Sequence, residues 1–127
     1  MTINWIAVAL CTLAVFVVGG PWYGPLFGNA WRKAAGDDRK EGHQGVVFGG
    51  AAAAGIIAAI GLGMIVGPAP GLMRGLHYGL IAGICLVTMS FAINYLFAGR
   101  KFALLLIDGG YNILLFAVMG AIFGMLG

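Results

Sequence analysis

Four long apolar stretches occupy most of this chain, and short polar segments separate them. They cover about residues 3–20, 46–67, 72–98 and 102–126. Each is close to or within the roughly 17–25 residues that an apolar helix needs to cross a bilayer. We therefore predict an all-α integral membrane bundle of four transmembrane helices, forming one transmembrane domain over residues 1–127.

The composition excludes a water-soluble fold. Hydrophobic residues make up 61% of the 127 residues and charged residues 9%, whereas soluble domains have about 45–50% and about 25%. A soluble domain of this size buries only about two-thirds of its surface, so the lipid bilayer is the predicted partner. The net charge of +3 does not indicate nucleic-acid binding, because the seven Lys and Arg lie in short loops.

The basic residues predict an orientation. Only Arg74 lies on one side of the predicted bundle. The other six lie on the opposite side, in the loop at about 29–45 and in the turn between the third and fourth helices: Arg32, Lys33, Arg39, Lys40, Arg100 and Lys101. Cytoplasmic loops carry an excess of Lys and Arg. We predict that both termini are outside and that the two basic loops are cytoplasmic.

An aromatic segment follows the first apolar stretch, where Pro21 and Pro25 are expected to stop the helix. Trp22, Tyr23 and Trp31 in this segment form a predicted interfacial lip. One interpretation is an anchor in the aromatic belt at the membrane surface. The other is a re-entrant lip that closes over a cavity.

Glycines predict where the helices pack closely. Gly75, Gly79 and Gly83 are four residues apart on one face of the third helix, and Gly120 and Gly124 form a similar pair on the fourth. Small residues at this spacing let helix backbones approach in lipid. So many glycines also favour a homo-oligomer.

Asp108 is the sharpest polar feature, because ionisable residues in a membrane helix are costly and are candidates for function. With Asn94, Tyr111 and Asn112 it forms a predicted polar intramembrane cluster. In one interpretation the cluster is a structural clasp, in which Asp108 accepts bonds from Asn94, Asn112, a tyrosine or Arg100. In the other, Asp108 is a proton- or cation-binding carboxylate in a water-accessible cavity.

Metal and cofactor signatures are lacking in the sequence. Asp37, Asp38, Glu41 and His43 lie together, but their spacing does not match a calcium loop. Cys11 and Cys85 lie in apolar runs and are interpreted as small buried hydrophobes. We predict no metal site, no catalytic residues and no cofactor.

The two halves of the chain echo each other weakly. Residues 23–28 read YGPLFG and residues 94–99 read NYLFAG, and each is followed by an adjacent Arg-Lys pair. Two parallel helical-hairpin repeats would explain this echo, and some transporters have such symmetry.

Several motifs resemble those of one bacterial family. They are INW at residues 3–5, WYGPLFG at 22–28, NYLFAGRK at 94–101, LIDGGYN at 106–112 and MGAIFG at 119–124. Together they resemble the domain of unknown function 1761 family of small membrane proteins with four predicted helices. The resemblance implies a bacterial cytoplasmic membrane protein without an established activity. It also implies that an asparagine is common at the position of Asp108, which favours the clasp over proton transfer.

Three functions follow from these patterns. The first is a structural or accessory component of a membrane complex or homo-oligomer. The second is a small transporter or channel in which Asp108 lines a polar path. The third is a lipid- or quinone-binding membrane protein that uses Trp22 and Tyr23 as a pocket wall.

Overall fold

The computed structural model describes residues 3–36 and 44–126, and the regular structure in these residues is helical. The α-helices are α1 Trp5–Pro21, α2 Gly28–Ala35, α3 Gln44–Val66, α4 Leu72–Ile81, α5 Met89–Ala98 and α6 Phe102–Leu126. Two π-helical segments join them: π1 Trp22–Leu26 continues α1, and π2 Ala82–Thr88 links α4 to α5.

These helices make four spans that are long and apolar enough to cross a membrane. The spans are Trp5–Leu26, Gln44–Val66, Leu72–Ala98 and Phe102–Leu126. The prediction of an all-α membrane protein with four spans is therefore confirmed. The residues at 37–43 lie outside the described residues, and with them Asp37, Asp38, Arg39, Lys40, Glu41 and His43.

The first span differs from the prediction that it ends near residue 20. Pro21 has φ −63° and ψ −36°, which suits both the proline ring and a helix. The backbone then widens into π1, where the Phe27 N–H bonds to the Trp22 carbonyl at 2.9 Å. The chain bends at Gly24, whose φ of −94° and ψ of −105° are not helical. Residues 29–35, predicted as part of a loop, lie in α2.

Helix α6 occupies the centre of the bundle. It contacts α1, α2, α3, α4, π2 and α5. Its Met119 side chain is fully buried and packs in a core with Cys11, Ala59 and Leu62 from α1 and α3. The other helices are consequently arranged around α6.

Helix α4 and π2 approach α6 backbone to backbone. A Cβ atom on Gly75 would overlap the Gly120 carbonyl oxygen, and one on Gly79 would overlap the Phe116 carbonyl oxygen. A Cβ atom on Gly83 would lie 3.0 Å from the Ile113 Cα. Only residues without a side chain allow this separation.

The start of α1 and the end of α6 lie on the same side of the bundle. The Asn4 side chain accepts a bond from the Ala7 N–H at 3.1 Å and so caps the N-terminus of α1. Its Nδ2 donates to the Leu126 carbonyl at 3.1 Å. Four antiparallel crossings produce this arrangement.

Candidate functional site

Asp108 lies on the inner side of α6 and is only 8% exposed. It is the seventh residue of α6, so it lies about 9 Å along the helix from Phe102 at 1.5 Å per residue. The two residues that follow it are Gly109 and Gly110. A Cβ atom on Gly109 would come within 2.8 Å of the Thr88 Cγ2, and one on Gly110 within 2.8 Å of the Trp22 ring. The glycines therefore let π1 and π2 close around this turn of α6.

Three side chains donate hydrogen bonds to the Asp108 carboxyl group. The Tyr23 hydroxyl donates to Oδ1 at 2.6 Å, and the Trp31 Nε1–H donates to the same oxygen at 3.0 Å. The Tyr95 hydroxyl donates to Oδ2. The donors belong to π1, α2 and α5, so one carboxyl group on α6 connects three other segments.

The bend after α1 brings two of these donors to Asp108. A Cβ atom on Gly28 would lie 2.5 Å from the Tyr23 carbonyl oxygen, so glycine is needed where α2 folds back against π1. The Tyr23 and Trp31 rings meet edge to face with their centroids 5.9 Å apart. This packing directs both polar atoms toward α6.

Neighbouring aromatic residues extend the cluster along α6. The Trp22 Nε1–H donates to the Ile107 carbonyl at 3.0 Å. The Tyr111 hydroxyl donates to the Val15 carbonyl of α1 at 2.8 Å, and its ring lies 5.2 Å from that of Tyr23. Trp22, Tyr23 and Trp31, singled out in the sequence as an interfacial lip, thus contact the same stretch of α6 as the predicted polar cluster.

Asn112 and Arg100 do not bond to the Asp108 carboxyl group. The Asn112 Nδ2 donates instead to the Asp108 backbone carbonyl at 2.8 Å, one turn back along α6. The Arg100 Nη1 donates to the Ala35 carbonyl at 3.1 Å and holds the end of α2 near the last turn.

Asn94 differs from its predicted place beside Asp108. It is exposed and lines a surface groove with Leu86, Val87, Ser90 and Phe91. Of the partners expected for the Asp108 carboxyl group, only a tyrosine bonds to it, and two tyrosines do so, Tyr23 and Tyr95.

Trp31 was missed as a partner of Asp108, although one signal for it was available. Asp108 lies close to the turn before α6, at the same end of the bundle as an aromatic segment followed by Arg32 and Lys33. Aromatic residues gather at the level of the membrane surface, so the aromatic segment is expected at about the same level as Asp108. This level makes its indole and phenol groups candidate donors to the carboxyl group.

The two cysteines have different surroundings. Cys11 is buried, and its Sγ donates to the Met119 carbonyl at 3.7 Å. Cys85 is exposed on the surface of the bundle, which differs from the expectation that both are buried. Over the described residues, no three His, Cys, Asp or Glu side chains lie close enough together to hold a metal ion.

Comparison with known proteins supports the family resemblance. No curated protein and no solved structure matches the chain. A family model described as "Protein of unknown function (DUF1761)" matches residues 6–124, nearly the whole chain. The chain is therefore a multi-pass membrane protein that belongs to the DUF1761 family.

Proposed function

We propose that this protein is a non-enzymatic structural or accessory component of a membrane complex or homo-oligomer, and that Asp108 is a structural acceptor in it. One observation carries the proposal. Both oxygens of the buried carboxyl group accept bonds from protein donors, and the three donors come from three separate segments. The carboxyl group thereby holds π1, α2 and α5 against α6.

The same bonds count against a role in transport. A carboxylate that binds and releases a cation needs free coordination positions and a path to water. A cation at Asp108 would have to displace Tyr23, Trp31 or Tyr95 from its oxygens. Interhelical hydrogen bonds are worth about 0.6 kcal/mol on average, so the three bonds together stabilise the fold by about 2 kcal/mol.

A small proton-coupled transporter is the second candidate. It is favoured by direct bonds between Asp108, an ionisable residue within a span, and the hydroxyl groups of Tyr23 and Tyr95. Such a chain of exchangeable protons is what a proton relay requires. Lipid or quinone binding by a Trp22–Tyr23 wall is less favoured, because the polar atoms of both side chains are bonded to α6.

The proposed setting is the bacterial cytoplasmic membrane, with both termini outside. The positive-inside rule supports this orientation, since Arg32, Lys33, Arg100 and Lys101 lie at one end of the bundle and Arg74 at the other. Pairing with further copies is supported by open small-residue positions on α3. A Cβ atom on Gly49 or Gly50 would meet no atom within 4 Å.

Two substitutions at Asp108 separate a structural role from transport. Asp108→Asn keeps an acceptor oxygen and a similar shape, whereas Asp108→Ala leaves three donors without their partner. We expect the free energy of unfolding of Asp108→Asn to be within about 1 kcal/mol of the wild-type value. That of Asp108→Ala should be about 2 kcal/mol lower. Reversible unfolding in mixed micelles measures both, with Tyr78→Phe as a control far from Asp108.

Flux measurements decide between the two functions. Vesicles containing the wild type, loaded with a pH-sensitive dye, should show the same proton leak as vesicles containing Asp108→Asn. A wild-type flux that Asp108→Asn abolishes without loss of stability would overturn the structural proposal and establish transport.

A further inference from the structure

A second polar feature lies at the opposite end of the bundle from Asp108. A groove of about 470 Å³ runs along the outer face of α4, lined by Met73, Arg74, His77, Tyr78 and Ile81. This end of α4 lies beside the end of α6, because a Cβ atom on Gly124 would be 2.6 Å from the Gly71 carbonyl oxygen. The groove is therefore on the side of the bundle that holds the start of α1 and the end of α6.

The groove concentrates the positive charge of this side. Within the described residues, Arg74 is the only Lys or Arg at this end of the bundle. His77 follows three residues later and Tyr78 four residues later, so all three lie on one helix face. Arg74 and His77 are both exposed.

Polarity changes along the groove in a fixed order. Ile81 lies about 10 Å deeper than Arg74 along the helix, at 1.5 Å per residue. The groove thus runs from a cationic end at the membrane surface to an apolar end within the hydrocarbon. A phospholipid has the same order, from an anionic phosphate at the surface to acyl chains below.

We propose that this groove binds one anionic phospholipid from the leaflet on its side of the membrane. The lipid phosphate lies beside Arg74 and His77, and an acyl chain packs along Tyr78 and Ile81. Lipids with a net negative charge are preferred over zwitterionic lipids, because the latter carry their own cation next to the phosphate. This site is independent of Asp108 and of the proposed structural role.

Native mass spectrometry tests the site with stated lipids. The full chain in detergent is titrated with palmitoyl-oleoyl phosphatidylglycerol or with the matching phosphatidylcholine. The wild type should retain one phosphatidylglycerol more tightly than phosphatidylcholine. Arg74→Gln should weaken phosphatidylglycerol binding about fivefold, since one basic side chain near an anionic surface contributes about 1 kcal/mol. Arg74→Lys keeps the charge and should retain most of the binding.

Lys101→Gln is the matched control, because it removes one exposed charge at the other end of the bundle. It should bind phosphatidylglycerol as the wild type does. If Arg74→Gln does not fold, His77→Gln is measured in its place and should also weaken binding. Equal binding of the two lipids, or equal binding by wild type and variant, would overturn the proposal. Competition by inorganic phosphate at the same concentration would also overturn it, by showing a site for free phosphate.

Discussion

Replacing Gly79 by alanine tests the backbone contact between α4 and α6. The added methyl group would overlap the Phe116 carbonyl oxygen, and it would lie 3.0 Å from the Phe116 carbonyl carbon and 3.2 Å from the Ala117 Cα. All three atoms belong to the α6 backbone, which cannot rotate aside as a side chain can. The methyl group therefore fits only if α4 moves away from α6.

Two opposing effects set the size of the change. Carbon atoms pack at about 3.5–4.0 Å, and forced overpacking costs about 1–3 kcal/mol. Alanine favours a helix over glycine by about 1 kcal/mol. We use the upper part of this overpacking range, because moving α4 away from α6 also breaks the close contact of Gly75 with Gly120. The net expectation is that Gly79→Ala lowers the free energy of unfolding by about 2 kcal/mol.

Reversible unfolding by a denaturing detergent in mixed micelles measures this change. Gly61→Ala is the matched control, because a Cβ atom there meets no atom within 4 Å. Gly61→Ala has the higher helix propensity of alanine without a steric overlap, so its free energy of unfolding should equal the wild-type value or exceed it by up to about 1 kcal/mol. The reasoning is refuted if Gly79→Ala is as stable as Gly61→Ala, since the helices would then not be in contact at this point.

Three further predictions concern other parts of the fold. Gly109→Ala should cost about 1–2 kcal/mol, because its Cβ would lie 2.8 Å from the Thr88 Cγ2. Thr88→Ser removes that methyl group, so in the double variant it should recover at least half of the stability that Gly109→Ala loses. Additive effects of the two substitutions would show that the two side chains are not in contact. Tyr111→Phe removes the hydrogen bond to the Val15 carbonyl of α1, so its free energy of unfolding should fall by about 0.6 kcal/mol in the same assay. An unchanged value would show that this bond does not stabilise the fold. A membrane-impermeant maleimide should label Ala69→Cys in intact cells but Lys101→Cys only after permeabilisation, with the wild type as background; the reverse pattern would invert the proposed orientation.

The architecture could be predicted because its determinants are local. The length and apolar character of each run decide whether it crosses a membrane, and these properties do not depend on which helices are neighbours. The described residues contain four candidate spans close to the predicted positions. The first span is longer than the sequence predicts. A proline is expected to stop a helix, but the φ of −63° at Pro21 allows this helix to continue into π1.

The polar centre was predicted in part. Asp108 stood out because a carboxyl group in an apolar run is costly wherever the run is placed. Its donors could not be identified by spacing, since Tyr23 and Trp31 lie 85 and 77 residues before it. Only the fold-back of π1 and α2 brings them to α6.

Asn112 and Asn94 show why spacing along a helix was an insufficient guide. Asn112 is four residues after Asp108, but its amide group reaches the backbone carbonyl one turn back, a partner that is always within reach in a helix. Asn94 follows π2, where the chain bonds to residues five apart rather than four. Such a segment changes the helical phase of every residue after it, so Asn94 faces outward while Tyr95 faces Asp108. The sequence alone thus determined the four spans and the one costly carboxyl group, whereas the tertiary structure decided the partners of Asp108, because the bends at π1 and π2 determine which side chains reach it.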